Sequence, residues 1–400
     1  MNIKRIKLNL NIILIIFKYL LIFFLLLIIY FKNLNITINE ENKLTKNDIK
    51  NTEKFYKICN YGILLNIRNF TKIKNPKISI ITPIYNKEKY ILRYLRGIQN
   101  QFFDDIEIIL IDDFSTDKSP YIIKKYKKED ERIILIKHKI NKGTLISRNE
   151  GILKSKGKYL IFLDPDDLLS SNILFFCYNM TLKYDYNLIR FNIYEGYGKI
   201  VLDILDNNHL NKTIFQPELS LYLFYGLGRL EELDYFITNK FIKRNIFIKA
   251  LNRINQYYLD QFMIDCEDGL INFILYRISN SYIFFRKIGY YYIKNEQSIT
   301  KENGDNFLKR LKSNFLYLKF IFQYTKNNII EKNISNYIFS EIYSVHKAVF
   351  INLFKEINDF KFYKEIINLY LNNEFISLET KEILNNITII IDKNKSIHQF

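Results

Sequence analysis

Apolar residues follow two different rhythms along this chain. Residues 12–31, IILIIFKYLLIFFLLLIIYF, are apolar throughout except for Lys18. A helix of that length spans ~30 Å, about the hydrocarbon thickness of a bilayer. A cleavable leader needs a shorter apolar core and small residues at its cut, yet neither Ala nor Gly occurs before Gly62. The run therefore predicts an uncleaved transmembrane signal anchor. Residues 1–11 are then a cytoplasmic tail, and residues 32–76, polar and rich in Asn and Lys, a stem.

From Lys77 short apolar runs alternate with amphipathic ones. Strands are expected at Ile78–Thr82, Ile106–Ile111, Ile133–Ile136 and Tyr159–Leu163, and helices at Glu88–Gln101, Asp117–Lys128, Thr144–Lys154 and Ile173–Tyr184. Tyr159–Leu163 has no polar position, as a strand buried on both faces requires. This β-α repetition predicts an α/β fold: a mostly parallel sheet flanked by helices, with right-handed crossovers. Leu188–Tyr194 extends the sheet, and Pro217–Leu227, Phe241–Leu251 and Glu267–Ile278 read as helices. Tyr282–Phe285 and Tyr290–Ile293 read as two short strands. The domain is expected over residues 77–303. Residues 304–400 are expected to form a helical C-terminal extension, with apolar residues at three- and four-residue spacing.

Composition changes this picture little. The formal charge is +17, but residues 1–75 hold 13 Lys/Arg against 4 Asp/Glu, so +9 of it lies near the N-terminus. The basic residues are diffuse and no reading motif accompanies them, which disfavours a nucleic-acid partner. A basic surface beside a membrane, or one attracting anionic donors and glycans, fits as well. Cys59, Cys177 and Cys266 are too few and too scattered for a zinc site, and an odd count leaves at least one thiol outside any intrachain bridge. The Asn-x-Ser/Thr acceptors, Asn69-Phe-Thr71 and Asn179-Met-Thr181 among them, are compatible with a lumenal body.

Carboxylates mark the ends of the predicted elements. Asp112 and Asp113 end the second strand, Asp164, Asp166 and Asp167 the fourth, and Glu267 and Asp268 open a later helix. Open α/β sheets bind ligands outside the carboxyl ends of their strands. Crowded carboxylates repel unless a cation compensates, and a hard divalent ion that also grips a diphosphate would do so. Between them Asn141-Lys-Gly-Thr-Leu-Ile-Ser-Arg-Asn-Glu-Gly151 offers Arg148 as a fixed cation. No Gly-x-Gly-x-x-Gly follows the first strand, so a dinucleotide fold is disfavoured.

Taken in order, Ile80-Ile-Thr-Pro-Ile-Tyr-Asn86, Ile111-Asp-Asp-Phe-Ser-Thr-Asp117, Asn141-x-Gly-x-x-x-x-Arg148-Asn-x-Gly151 and Leu163-Asp-Pro-Asp-Asp167 resemble the motifs of family 2 glycosyltransferases. The likeness covers residues 77–195 well. It extends more loosely through Asn239–Arg244, Cys266-Glu-Asp268 and Tyr290–Lys294. The resemblance implies a GT-A (Rossmann-like) fold and a nucleotide-diphosphate-sugar donor. Pro83, Tyr85 and Asn86 would line the nucleoside pocket, and Asp112 or Asp113 would bind the base or ribose. Arg148 would position the donor and Asp164 its sugar or ribose. Asp166, with Asp167, would hold a divalent metal (Mn²⁺ or Mg²⁺) on the diphosphate. Asp268, beside Glu267, would take the proton of the acceptor hydroxyl. Two positions depart from the family: Phe114 stands where members commonly have Gly, and Lys294 where many have Arg.

The expected function is an inverting, metal-assisted transfer of sugar to a glycan, glycoprotein or glycolipid hydroxyl. A lumenal catalytic domain in the Golgi or endoplasmic reticulum is expected, with the membrane reached through residues 12–31. The alternatives are an inactive membrane-anchored nucleotide-sugar or glycan-binding protein, and transfer to a polyprenyl phosphate from the cytoplasmic side.

Overall fold

The computed structural model describes residues 70–195, 199–201, 213–215, 236–263, 266–293 and most of 313–324. The apolar run 12–31, the tail, nearly all of the stem, Lys294 and the helix expected at Pro217–Leu227 lie outside these residues. So does the C-terminal extension beyond residue 324. Among the described residues no helix is long and apolar enough to cross a membrane.

Four parallel strands form the first half of the sheet: β1 (Ile78–Ile84), β2 (Ile106–Asp112), β3 (Ile133–Lys137) and β4 (Tyr159–Phe162). Their spatial order is β3-β2-β1-β4, with Ile78 level with both Ile106 and Tyr159. Helices α1 (Ile91–Gln99), α2 (Ser119–Glu129) and α3 (Thr144–Lys154) connect them, and α4 (Ile173–Lys183) follows. Successive strand side chains point to opposite faces, so runs without polar positions fill two cores. Ile80, Ile108 and Leu110 cluster with Ile91, Leu95, Ile123 and Leu174 on one side. Ile81, Ile109 and Ile111 cluster with Leu145 and Ile152 of α3 on the other. Each such burial contributes ~1.5–3 kcal/mol. Helix α3 lies close because Gly151 has no side chain: a β-carbon there would come within 2.7 Å of Ile81 Cγ2.

Beyond β4 the mostly parallel expectation needs correcting. Strand β9 (Lys240–Lys243) inserts between β4 and β6 (Leu188–Glu195), antiparallel to both, and β10 (Ser281–Tyr292) lies parallel to β6. Short antiparallel strands β5 (Leu168–Leu169), β7 (Lys199–Val201) and β8 (Thr213–Phe215) pair with β10, β6 and β10 respectively. The sheet is therefore mixed, ordered β3-β2-β1-β4-β9-β6-β10-β5 along its main path.

The helix expected at Phe241–Leu251 is in fact β9 followed by α5 (Arg244–Arg253). Four residues are too short for their periodicity to separate a strand from the first turn of a helix. The two strands expected after Tyr282 are one, interrupted by register shifts between Phe285 and Tyr290. Helix α6 (Gln256–Leu259) is capped by Asn255, whose side chain accepts the Tyr257 amide. Helix α7 (Glu267–Ile278) has the expected bounds. The described positions within 313–324 are helical, and Tyr317, Phe320 and Ile321 pack into the core that holds Phe273 of α7. Cys177 is buried, and the Cys266 thiol donates to Asn314 Oδ1 at 3.0 Å, while Cys59 lies outside the described residues.

Candidate active site

Strands β1, β2 and β4 run in one direction, so the loops that follow them leave from one edge of the sheet. Pro83 sits in β1 opposite Ile111. The pairing of β4 with β1 stops at Ile81, so the missing proline N–H breaks no bond on that side. Tyr85 follows with its side chain half exposed. Asn86 takes a left-handed backbone (φ 51°), which Asn tolerates. Its Oδ1 accepts the Thr116 amide at 2.9 Å, and its own amide donates to Ser115 Oγ at 3.1 Å.

Asp112 and Asp113 are both buried but have different partners. Asp112 Oδ1 accepts the Ser115 amide at 3.0 Å, with Lys137 Nζ 3.7 Å from the other oxygen. Asp113 accepts the amides of Lys142 and Gly143, each at 2.8 Å, and lies 2.6 Å from His138 Nδ1. The opposite imidazole nitrogen is 2.9 Å from Glu150, which also receives Lys142 Nζ at 2.6 Å. Partial burial pushes the Glu150 carboxyl up, but hydrogen bonds from Lys142 and His138 outweigh it and hold the group below its ordinary value. Gly143, at φ 86°, leads into α3.

One turn into that helix is Arg148, only 3% exposed at its side chain. Its guanidinium donates to Asp164 Oδ1 at 3.1 Å, to Asp268 Oδ1, and more loosely to Glu267 Oε1 at 3.4 Å. Three elements thus converge on one cation: the end of β4, the second turn of α3 and the first turn of α7. Acids in a helix's first turn are favoured by its positive end. Burial tends to weaken the charge on Arg148, but Asp268, Asp164 and Glu267 together push its pKa further up, so it stays protonated. Burial raises the Asp164 pKa, with the Asp166 and Asp268 charges adding to it and Arg148 opposing. The second oxygen of Asp268 accepts the Ile237 amide at 3.0 Å. A carboxylate offers about four lone-pair positions, so both bonds leave room for a hydroxyl proton.

The acidic turn after β4 divides its carboxylates. Asp167 is 2% exposed, and its oxygens accept the Tyr290 hydroxyl (2.6 Å) and the Ile293 amide (2.8 Å). Burial, with Asp166 and Asp164 nearby, pushes its carboxyl well above the usual range. Asp166 receives Lys87 Nζ at 2.6 Å, and its carbonyl receives the Arg93 guanidinium. Among the described residues no three His, Cys, Asp or Glu side chains gather as a metal cluster. A divalent ion on a diphosphate needs only one or two protein carboxylates, with phosphate oxygens and water completing its shell. Asp166, with 15% of its side chain open, fits that need; Asp167, at 2% exposure, is closed off from a diphosphate.

The model of glycosyl transferase family 2 matches residues 79–251, the stretch that carries β1 to α5 and the loops just described. Residues 79–251 carry a family 2 glycosyltransferase domain. Glycosyltransferase GlyA of Streptococcus pneumoniae is 28% identical over 232 residues, covering 56% of this chain and 32% of GlyA. The poly(ribitol-phosphate) beta-glucosyltransferase of Bacillus spizizenii is 41% identical over 108 residues, 26% of this chain and 17% of that protein. The chain spans only these minor parts of the two curated relatives. Among solved structures, S. aureus TarS 1-349 in complex with UDP-GlcNAc superimposes with a TM-score of 0.55 at 19% identity, covering 74% of this chain and 80% of that one. This likeness establishes a GT-A-like fold.

Within the glycosyltransferase domain and the α7 segment that follows it, the structure brings together Arg148, Asp164, Glu267 and Asp268. It gathers Asn86, Asp112 and Asp113 in the neighbouring loops. Lys87 and His138 were not singled out from sequence, and Glu150 and Tyr290 stood there only within the stretches Asn141–Gly151 and Tyr290–Lys294, without roles of their own. A histidine just beyond β3, at the ligand-binding edge, was a usable signal for His138. Nothing local marks Lys87, whose partner lies 79 positions away.

Proposed function

We propose that this protein is an inverting glycosyltransferase that moves a sugar from a nucleotide-diphosphate donor to a hydroxyl-bearing glycan or glycopolymer. The observation that carries the reading is the shared cation: Arg148 joins Asp164 at the donor-side strand end to Asp268 at the mouth of α7. The names of two similar proteins support it, one a poly(ribitol-phosphate) glucosyltransferase and the other bound to UDP-GlcNAc. A UDP-sugar is therefore the first donor class to test. Anchoring through residues 12–31 belongs to the same proposal and rests on the apolar run alone.

In this mechanism the loops after β1 and β2 seat the nucleoside. Arg148 orients Asp164 toward the donor and holds Asp268 in place. Asp268 accepts the proton of the acceptor hydroxyl as that oxygen bonds to the anomeric carbon. The bond from the anomeric carbon to the diphosphate breaks, and the nucleoside diphosphate leaves with the electron pair. A base opposite the leaving group means in-line attack and inversion. A divalent ion held by Asp166 would neutralise charge developing on the diphosphate.

The test follows UDP release from UDP-GlcNAc and UDP-glucose by the full-length protein, with Mn²⁺ and with chelator. Turnover should fall at least ~100-fold in Asp268→Asn, the scale of general-base loss, while donor binding persists. Undiminished turnover in Asp268→Asn would remove Asp268 as the base. Binding of no nucleotide sugar would sink the reading.

A further inference from the structure

Phe114 is a large aromatic residue held where the backbone favours glycine. Its φ is 67°, a conformation that a β-carbon makes costly. The residue is 48% exposed, so core packing does not explain it either. The turn that holds it is imposed from both sides. Asp112 Oδ1 accepts the Ser115 amide, Ser115 Oγ accepts the Asn86 amide, and Asn86 Oδ1 accepts the Thr116 amide. Strain of this kind persists only where the surroundings over-determine it, and it points from conformation toward function.

Placement says which function. Ile84 and Asp112 are the last registered pair of β1 and β2. Tyr85 and Phe114 follow one and two residues beyond that pair, on adjacent strand ends. Tyr85 is 47% exposed. Two half-exposed rings therefore stand at the loops to which the proposed function assigns the nucleoside.

We propose that Phe114 is a stacking contact for the donor's nucleobase, presenting a second aromatic ring on the strand end next to that of Tyr85. This rests on the donor reading above. Every base has a π-face, and stacking on an aromatic side chain strengthens binding by roughly 5–150-fold per base. A phenylalanine at φ 67° supplies that ring at the expense of backbone strain, which Gly would avoid while offering no contact.

The experiment titrates full-length protein with UDP, and with inorganic pyrophosphate as a control lacking a base, both with Mn²⁺, by calorimetry. Melting temperatures are recorded in parallel. Phe114→Gly should raise Tm by about 2–4 °C through relief of strain. It should weaken UDP about tenfold, within the stacking range, and leave pyrophosphate unchanged. Phe114→Tyr should bind UDP as the parent does. Unchanged UDP affinity in Phe114→Gly overturns the inference and leaves the glycosyltransferase reading standing. Equal weakening of UDP and pyrophosphate overturns it too, since the residue would then only shape the loop. A parent protein that binds pyrophosphate but no nucleoside diphosphate overturns both this inference and the donor reading.

Discussion

The loops after β1 and β2 and the centre around Arg148 are joined by the first turns of α3, yet different forces hold them. The loops are tied by backbone amides. Asn86, Asp112 and Asp113 accept N–H groups from Ser115, Thr116, Lys142 and Gly143 at 2.8–3.0 Å. Such bonds satisfy each donor and fix the turns without any ligand. The centre is tied by charge: one buried guanidinium serves Asp164, Glu267 and Asp268. Amide-held loops can be preformed for a nucleoside, whose contacts hardly change through the reaction. A group that must take a proton needs a charged partner whose hold can be redistributed as substrate arrives.

The strongest way to break this contrast is Asp113→Ala. It strands the Lys142 and Gly143 amides and releases His138, and bonds to a charged acceptor are worth ~1.5–3 kcal/mol. Stability should fall by about 3–4 kcal/mol in urea titration, with weaker donor binding, and kcat per folded molecule should suffer least. A loss of less than ~1 kcal/mol would show that the loop stands without Asp113.

Arg148→Ala should cost somewhat less. Its own side chain is buried, but its carboxylate partners are 12–36% exposed and can turn to water. About 2–3 kcal/mol is expected, below the ~3–5 of a fully buried pair. Here kcat should collapse at any donor concentration. If Arg148→Ala raises only the donor KM, the proposed division between seating and chemistry fails.

Asp185 and Lys243 supply the low end of the scale, away from both regions. The Lys243 hydrogen bond holds the Asp185 carboxyl below its ordinary value. With a folded pKa below the unfolded one, the stabilisation is present above about pH 4 and lost as pH falls through the folded value. Asp185 is 66% exposed, so Asp185→Asn should cost no more than ~0.5 kcal/mol at pH 7. A larger loss at neutral pH, or one that does not shrink as the pH is lowered below about 4, would contradict that assignment.

How much was legible depended on how local each signal was. The strands from Ile78 to Phe162, α3 and α7 could be read because their periodicity and end residues lie within a dozen positions. β9 could not, because Lys240–Lys243 becomes a strand only through pairing with Tyr159–Ile161 and Leu188–Arg190. The acids of the turn after β4 were visible as a group, but their separate surroundings were not. Asp167 meets Tyr290 across 123 positions and Asp166 meets Lys87 across 79.

By itself the sequence determined the α/β alternation, the strand ends at which chemistry gathers, and the residue types available there. Those follow from side-chain periodicity and from the rule that open sheets bind at their carboxyl edges. Only the tertiary structure decided which of two adjacent acids holds a loop and which faces a lysine. It also decided that one arginine serves three carboxylates, and that Phe114 sits in a left-handed turn. Burial, hydrogen bonding and charge act through space at a few ångströms, and the partners that set them are remote along the chain.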